Sequence, residues 1–338
     1  MTAAPPRRTA GSPGSETRLV LAGLALVATT LVGAQVHPRL GDHPFMVLFA
    51  AQGLLALAAM RLAEDVRPDR ALLVILAVAL AARILLLFEP PNLSTDVYRY
   101  VWDGRVQAAG INPYRFGPAA PELASLRDPA IWPNINRADY AVTIYPPAAQ
   151  ILFVLVALLG DGGGVLGIRL ALIATECVTI AVLIALLRHV GAPAARVVAY
   201  AWHPLALWEI AGNAHIDGAM LAAMLVGLWL ALIAGRRVAG AAAIAAAALV
   251  KPFAALALPA AWRPWDWRAP AAALATVALL YLPYLSVGWG VLGFLPGYLA
   301  EEGITTGRAF WLVEAIDALA GRNAWSRPLY LAGGFALL

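Results

Sequence analysis

Residues 71–106 read ALLVILAVALAARILLLFEPPNLSTDVYRYVWDGRV and join an apolar run to a polar segment. The run from residue 71 to residue 88 contains one charged residue, Arg83, and approaches the ~18–20 residues that cross a bilayer. Two aspartates and two arginines then fall within ten residues: Asp96, Arg99, Asp103 and Arg105. The stretch therefore predicts a transmembrane helix that leads directly into a polar loop.

The whole chain has the composition of a multi-span membrane protein. Hydrophobic residues make up 62% of its 338 residues, and its mean hydropathy is +0.75. Soluble domains contain only about 45–50% apolar residues. We therefore predict an all-α, polytopic helical bundle with about ten membrane spans. The candidate spans are residues 19–36, 45–61, 71–88, 166–188, 197–212, 217–235, 238–250, 252–262, 269–288 and 327–338.

Arginine-rich ends of these runs predict the domain organisation and the topology. Residues 1–18 are expected to form a disordered cytoplasmic leader, and residues 19–70 a transmembrane hairpin. Residues 71–338 form one transmembrane module, which we expect to continue beyond residue 338 because the chain ends within an apolar segment. The polar stretch from about residue 89 to about residue 145 then becomes an outer loop with interfacial amphipathic helices.

Two apolar segments are too short for a simple crossing. Residues 145–160 open with Pro146-Pro147 and are expected to lie at the outer interface or to re-enter. Residues 238–250 and 252–262 are expected to be two short helices that meet at Lys251-Pro252, with one proline-kinked span as the alternative. This topology brings the unusual polar residues to the outer side, namely Asp96, Asp103, His215, Asp217, Lys251, Glu301, Glu302 and Arg308.

Several classes of function are disfavoured by the composition. Cys177 is the sole cysteine, which excludes an internal disulfide and a thiolate metal site. The arginines flank apolar runs, and no basic cluster is interleaved with aromatic residues, so nucleic acid is not an expected partner. His215, Asp217 and Asp96 offer nitrogen and oxygen ligands in principle, but zinc-type spacing is missing.

The residues after Thr95 have helical periodicity. Asp96, Tyr100, Asp103 and Gln107 recur at spacings of three and four, so they share one face, which we expect to turn towards water or a cavity. Two interpretations of the acidic residues remain open. In one, Asp96 is a helix-capping or first-turn residue and Asp103 pairs with Arg99. In the other, an aspartate at the membrane boundary acts as a general base.

Three further features carry charge in apolar surroundings. Lys251 is the only lysine, and its place at a helix break before Pro252 favours anion binding over snorkelling to the interface. Arg308 follows a polar outer loop and is a candidate phosphate clamp. Arg169 and Glu176, seven residues apart on one predicted span, are expected to form a structural pair.

Five motifs occur in a recognisable order: STDVYRYVWDGRVQAAGINPY, TIYPPAAQILF, GNAHIDG, LVKPFA and YLAEEGITTGRAFWLVEA. Together they resemble the GT-C superfamily of integral-membrane glycosyltransferases, and especially the polyprenyl-phosphate-mannose-dependent mannosyltransferases. The resemblance covers roughly residues 71–320. It implies an inverting transfer of a sugar, mannose first, from a lipid-phosphate donor to a lipid or glycan acceptor. The reaction is expected at the extracytoplasmic face of a bacterial plasma membrane, without a cofactor or metal.

The resemblance also implies residue roles. Asp96 matches the general base that follows the third span, and Asp103 matches a second acidic position of the same loop. The donor phosphate is assigned to Lys251, Arg99 and Arg308, and the acceptor cavity to His215, Asp217, Tyr100 and Glu302. The alternative function is a multi-span transporter or lipid flippase, in which broken helices and charges mark a substrate path.

Overall fold

The computed structural model describes residues 13–160 and 164–303, together with Ala318. The described chain is helical, as predicted. Its α-helices are α1 Pro13–Leu40, α2 Asp42–Leu62, α3 Pro68–Leu87, α4 Asp96–Ala108, α5 Pro147–Leu158, α6 Gly164–His189, α7 Val198–Ala201, α8 Asp217–Leu232, α9 Arg237–Ala248, α10 Leu258–Ala261, α11 Arg268–Tyr281 and α12 Leu295–Glu301.

Irregular helical segments interrupt this series where the sequence contains proline or polar residues. A π-helix lies between α7 and α8, at Ala206–Gly212. The other segments are 3-10 helices at Ala63–Asp65, Pro121–Leu126, Trp132–Asn134, Ala194–Val197, Pro252–Ala257 and Leu282–Leu292.

The number of spans differs from the sequence prediction. Among the described residues, five helices are long and apolar enough to cross a membrane: Gly14–Val36, His43–Asp65, Pro68–Leu87, Gly164–His189 and Arg268–Glu301. A sixth is gained if Ala206–Gly212 and Asp217–Leu232, which meet at a bend of 111°, count as one broken span. The prediction of about ten spans is therefore not confirmed. Residues 327–338, the last predicted span, lie outside the described residues.

The difference arises because several apolar runs form helices of only 10–17 residues, namely Pro147–Leu158, Arg237–Ala248 and Pro252–Ala261. The predicted break at Lys251-Pro252 is confirmed, since α9 ends at Ala248 and a 3-10 helix begins at Pro252. The predicted span at residues 197–212 is likewise divided between α7 and the π-helix. Proline explains both divisions in part, because its ring and missing N–H interrupt a regular helix.

The first three helices define the two ends of the bundle. Arg70 on α3 lies 3.8 Å from Glu16 on α1, and Gln35 further along α1 donates to Glu89 just after α3. Therefore α1 and α3 run in the same direction, and α2 runs in the opposite direction and packs against α1. We call the end that contains Glu89 and Asp96 the site end, and the end that contains Arg61, Arg67 and Arg70 the arginine end.

Buried arginines stabilise the centre of the bundle. Arg83 on α3 forms a two-point ion pair with Glu176 on α6, at 3.0 and 2.7 Å, and both side chains are almost completely buried. The predicted Arg169–Glu176 pair is therefore wrong. Arg169 instead donates to the carbonyls of Leu86 and Leu87 at the end of α3, at 3.2 and 3.0 Å. The last carbonyls of a helix have no partner within that helix, and a long arginine side chain can reach them. Arg169 therefore bonds the carbonyls at the end of α3 in place of the Glu176 carboxylate.

Candidate active site

Asp96 begins α4, as the sequence predicted, and its carboxylate is half-buried. The Asn136 side chain of the outer loop donates to Asp96 Oδ1 at 2.9 Å. Within residues 13–160 and 164–303, no hydrogen bond to Oδ2 is formed, and no backbone amide of α4 donates to the carboxylate. Asp96 is thus a first-turn residue whose carboxylate does not cap the helix, and one of its oxygens is available to a substrate.

A pair of tyrosines connects Asp96 with the start of α8. The ring of Tyr100, one turn after Asp96, stacks on Phe153 of α5 and meets Tyr145 edge-on, with ring centroids 4.7 and 4.9 Å apart. Tyr100 lies close enough to both Asp96 and Asp217 for each carboxylate charge to act on its phenol. Burial, and then the negative charge of Asp96, raises the pKa of Tyr100. This phenol therefore stays protonated at physiological pH and acts only through hydrogen bonds.

The polar face of α4, which the sequence predicted to face water or a cavity, is buried at Tyr100 and Asp103 and only half-buried at Asp96 and Gln107. Tyr100 and Asp103 are 1% and 2% exposed, because this face packs against α5. Asp103 Oδ1 accepts a 2.8 Å hydrogen bond from Arg99, and Asp103 Oδ2 accepts one from Gln150 at 2.9 Å and one from Thr143. A carboxylate with that many partners can satisfy its charge away from solvent, which a periodicity argument does not reveal.

Arg99 is also buried and makes its second contact with the Ala141 carbonyl, at 3.2 Å. The predicted catalytic role of Asp103 and the donor-phosphate role of Arg99 stay predictions. Their contacts are those of a structural ion pair that fixes α4 to the end of the outer loop. The sequence already offered this pairing as the alternative, through their spacing of four residues.

The turn before α8 is held against the end of α3. Asn213 is fully buried, and its Oδ1 accepts hydrogen bonds from the backbone N–H groups of Asn92 and Leu93, at 3.1 and 2.9 Å. Arg169 adds a hydrogen bond to the Gly212 carbonyl. These contacts fix the segment that leads to Asp96 relative to the turn that carries His215.

Ala214, next in this turn, has a φ of +59°. This left-handed conformation is uncommon for residues other than glycine, and such positions cluster at functional sites.

Lys251 and Asp217 are the central pair of a group of charged side chains that also contains His215 and Glu209, which we call the charged cluster. Lys251 Nζ lies 2.6 Å from Asp217 Oδ2, and both side chains are about one-third exposed, at 30% and 39%. His215 Nδ1 is 3.8 Å from the same oxygen, and His215 Nε2 is 3.5 Å from a Glu209 carboxylate oxygen. The sequence predicted His215, Asp217 and Lys251 on one side, and the structure brings them into contact.

The start of α5 completes this neighbourhood. The backbone N–H groups of Ala148 and Ala149 donate to the Leu249 carbonyl, two residues before Lys251, at 3.0 and 3.4 Å. Three short helical segments, α5, α9 and Pro252–Ala257, therefore begin or end beside Lys251. These contacts hold the helix ends together and fix the position of Lys251 relative to the start of α5.

The outer loop contributes two residues that sequence reasoning missed. Asn136 bonds Asp96, and the next residue, Arg137, pairs with Glu301 at 2.7 Å and with Glu302 at 3.6 Å. Arg137 also has a positive φ of 52°. Nothing in the local sequence distinguishes these residues from other polar loop residues. Glu302 thus lies near the cluster but is paired, and Arg308 lies outside the described residues.

A metal site is not evident in the described part of the chain, where no group of three or more His, Cys, Asp or Glu side chains is arranged to hold an ion. The metal independence inferred from sequence stays a prediction. A cavity of about 470 Å³ lies at the arginine end, lined by Leu54, Leu57, Arg61 and Arg196 among others, and so is remote from this cluster.

Comparison with known protein families shows the family of the chain. The family described as "Alpha-(1->6)-mannopyranosyltransferase, N-terminal domain" matches residues 17–266. The chain belongs to this family. The matched range contains Asp96, His215, Asp217 and Lys251, and it ends before Glu301.

Two individual proteins that resemble the chain also carry the name of a mannopyranosyltransferase. Over 366 aligned residues the chain is 27% identical to a protein named Alpha-(1->6)-mannopyranosyltransferase A from Mycobacterium tuberculosis, an alignment that covers 98% of this chain and 69% of the relative. A protein of the same name from Corynebacterium glutamicum is 32% identical over 179 residues, which cover 52% of this chain and 35% of the relative. No solved structure matches the chain.

Family membership confirms the resemblance to membrane mannosyltransferases. Together with the candidate membrane spans, it identifies the chain as a membrane protein of a glycosyltransferase family. It therefore favours glycosyl transfer over the transporter or flippase interpretation.

Proposed function

We propose that this chain transfers mannose from a polyprenyl-phosphate-linked donor to a hydroxyl of a lipid or glycan acceptor. The observation that carries the proposal is that a half-buried carboxylate, Asp96, and the Lys251–Asp217 ion pair lie at one end of the bundle, where the charges of Asp96 and Asp217 both act on Tyr100. Both residues lie in the range that matches the mannopyranosyltransferase family. A base and a phosphate-binding cation are the two groups that such a transfer requires.

The proposed reaction is a single displacement. Asp96 Oδ2 accepts the proton of the acceptor hydroxyl while the acceptor oxygen forms a bond to the anomeric carbon of mannose. The bond from that carbon to the phosphate oxygen breaks, and the electron pair stays on the lipid phosphate. Lys251 stabilises the charge on the departing phosphate, and Asp217 holds the ammonium in position.

Inversion at the anomeric carbon has a consequence for the donor. The names of the relatives specify an α-linked product. A single displacement that yields an α bond must begin from a β-linked mannosyl phosphate. We therefore propose a β-linked lipid-phosphate mannose as the donor, with no metal ion, because a single phosphate has less charge to neutralise than a nucleotide diphosphate.

The site end is proposed to face the extracytoplasmic side of a bacterial plasma membrane, with the N-terminus in the cytoplasm. The support is the positive-inside rule, because Arg61, Arg67, Arg70 and Arg196 gather at the opposite end. A lipid-phosphate donor suits this side, since it needs no soluble cytoplasmic nucleotide sugar.

The test is transfer of labelled mannose from a polyprenyl-phosphate donor by purified protein in lipid nanodiscs. We expect Asp96→Asn to lower the rate by about 10²–10⁴, the usual contribution of a general base. The matched control is Asp139→Asn, an exposed aspartate of the same outer loop, which should transfer at the wild-type rate with or without EDTA. Wild-type transfer by Asp96→Asn would refute the base, and loss of transfer in EDTA would refute metal independence.

A further inference from the structure

Two connections meet at the end of α9 that is remote from Lys251. One connection, from α8, ends at Arg236, and Arg237 begins α9; the other, residues 262–267, joins α10 to Arg268 at the start of α11. The Arg237 guanidinium donates to the Trp262 carbonyl at 3.2 Å, which places the two connections side by side. We call residues 236–237 and 262–268 the tryptophan–arginine surface.

The tryptophans of this surface are unusually exposed. Trp262, Trp265 and Trp267 are 49%, 98% and 74% exposed, although an indole ring normally buries most of its area. Trp265 and Trp267 bury little of their area against the protein, and Trp262 buries about half. Tryptophan with an apolar body and a polar N–H prefers the boundary between the acyl chains and the headgroups of a bilayer.

The backbone at Trp265 supports an external partner. Its φ is +67°, a left-handed conformation that is a genuine outlier for a bulky side chain. This conformation costs free energy, and the almost fully exposed ring regains none of that free energy through packing within the described protein. A contact outside the protein is the natural source of compensation.

The charge of the surface identifies the partner. The surface contains one acidic residue, Asp266, and four arginines, namely Arg236, Arg237, Arg263 and Arg268. Arg268 occupies both oxygens of Asp266, at 3.0 and 3.1 Å. The side chains of Arg236 and Arg263 are exposed, and neither guanidinium forms a hydrogen bond or an ion pair with a described residue, although the charge of Arg263 helps to lower the pKa of Asp266. The surface therefore has two guanidinium groups free to bind anions beside three exposed indole rings.

We propose that the tryptophan–arginine surface is a binding site for the headgroups of acidic phospholipids. The indole rings insert at the level of the glycerol backbone, and the guanidinium groups of Arg236 and Arg263 bind the negatively charged headgroups. Guanidinium groups suit this role, because their planar N–H donors match phosphate oxygens in pairs. The site is independent of sugar transfer and lies away from Asp96 and Lys251.

The experiment compares phosphatidylglycerol with phosphatidylcholine, bound to the detergent-solubilised protein and detected by native mass spectrometry. We expect the wild type to retain phosphatidylglycerol preferentially. Arg236→Gln combined with Arg263→Gln should weaken that binding by about thirtyfold, at roughly fivefold per arginine. Trp265→Ala combined with Trp267→Ala should weaken the binding of both lipids.

The matched control replaces two exposed arginines elsewhere, Arg39→Gln with Arg115→Gln, and should bind phosphatidylglycerol like the wild type. Thermal midpoints of all variants establish that they are folded. Three results would each overturn the proposal: equal retention of the two lipids by the wild type, unchanged binding in the double arginine variant, or full displacement of phosphatidylglycerol by millimolar inorganic phosphate. The last would show a simple anion site with no requirement for a lipid.

Discussion

Asp96 and Asp103 lie on the same helix, two turns apart, in different surroundings. Asp96 has one hydrogen-bonded oxygen and partial exposure, whereas Asp103 is 2% exposed and bonded by three side chains. Removing a buried carboxylate from a salt bridge is destabilising mainly because its partner then remains as a buried charge without a counter-ion. The two aspartates should therefore respond differently to substitution.

Replacement of Asp103 by alanine should destabilise the protein by about 3–5 kcal/mol, because Arg99 would remain buried without its counter-ion. Asp103→Asn, which keeps the shape, should cost less. The measurement is denaturant or thermal unfolding in detergent, with Asp139→Ala as the surface control. Wild-type stability combined with lost mannose transfer in Asp103→Ala would instead support a catalytic role.

Lys251 is the residue whose charge the donor phosphate should require. Lys251→Met is expected to reduce kcat/KM for the lipid-phosphate donor by about 10²–10³, the usual effect of removing one group that stabilises a developing charge. Lys251→Arg should recover part of the loss. Steady-state kinetics check this, with Arg115→Met as a matched loss of an exposed cation in the outer loop. Unchanged kcat/KM in Lys251→Met would remove this residue from the donor site.

Helices α4 and α5 pack closely together beside the site. A Cβ atom on Gly104 would lie 2.5 Å from the backbone oxygen of Phe153 on α5. Such a distance between a Cβ and a backbone atom cannot be accommodated without moving one helix. Glycine at position 104 therefore sets how closely the helix that begins at Asp96 approaches α5.

Gly104→Ala should consequently destabilise the protein by about 1–3 kcal/mol and lower transfer, because α4 must shift away from α5. The control is Gly53→Ala in α2, where no atom lies within 4 Å of the added Cβ. That control should be neutral or slightly stabilising, since alanine is the better helix former. Thermal midpoints and transfer rates of the two variants provide the comparison.

The sequence predicted the elements around the site better than it predicted their packing. Helical periodicity correctly placed α4 from Asp96 onward, and the proline after Lys251 correctly predicted a break. The same periodicity predicted that the polar face of α4 faces water or a cavity, and it did not predict the burial of Tyr100 and Asp103. Helical periodicity shows which residues share a face, but it does not show what that face contacts. The partner of Asp103, Gln150, lies more than forty residues further along the chain.

At the scale of the molecule, the position of the arginines along the sequence was the most useful guide to which polar residues lie together. Arginines at the ends of apolar runs sorted the polar residues onto one side, and the described residues among them do lie at the site end. The lengths of the apolar runs did not predict the number of spans. Short apolar helices look like short membrane spans in the sequence. Asn136 and Arg137 were missed since nothing in the sequence brings that part of the loop to Asp96.

The orientation of the bundle can be measured with single cysteines in a Cys177→Ala background. Asp139→Cys lies at the site end, and Asp69→Cys lies at the arginine end. A membrane-impermeant maleimide added to intact cells should label Asp139→Cys only, and both after permeabilisation. Labelling of Asp69→Cys alone in intact cells would reverse the proposed topology.

The length of α9 has a consequence for the membrane itself. Its 12 residues rise only about 18 Å, whereas the hydrocarbon layer is about 30 Å thick. With the tryptophan–arginine surface at one interface, Lys251 lies several ångströms below the opposite headgroup plane. For an upright α9, access of water and donor to Lys251 would require a notch in the bilayer above it, with a depth that depends on the acyl-chain length of the surrounding lipids.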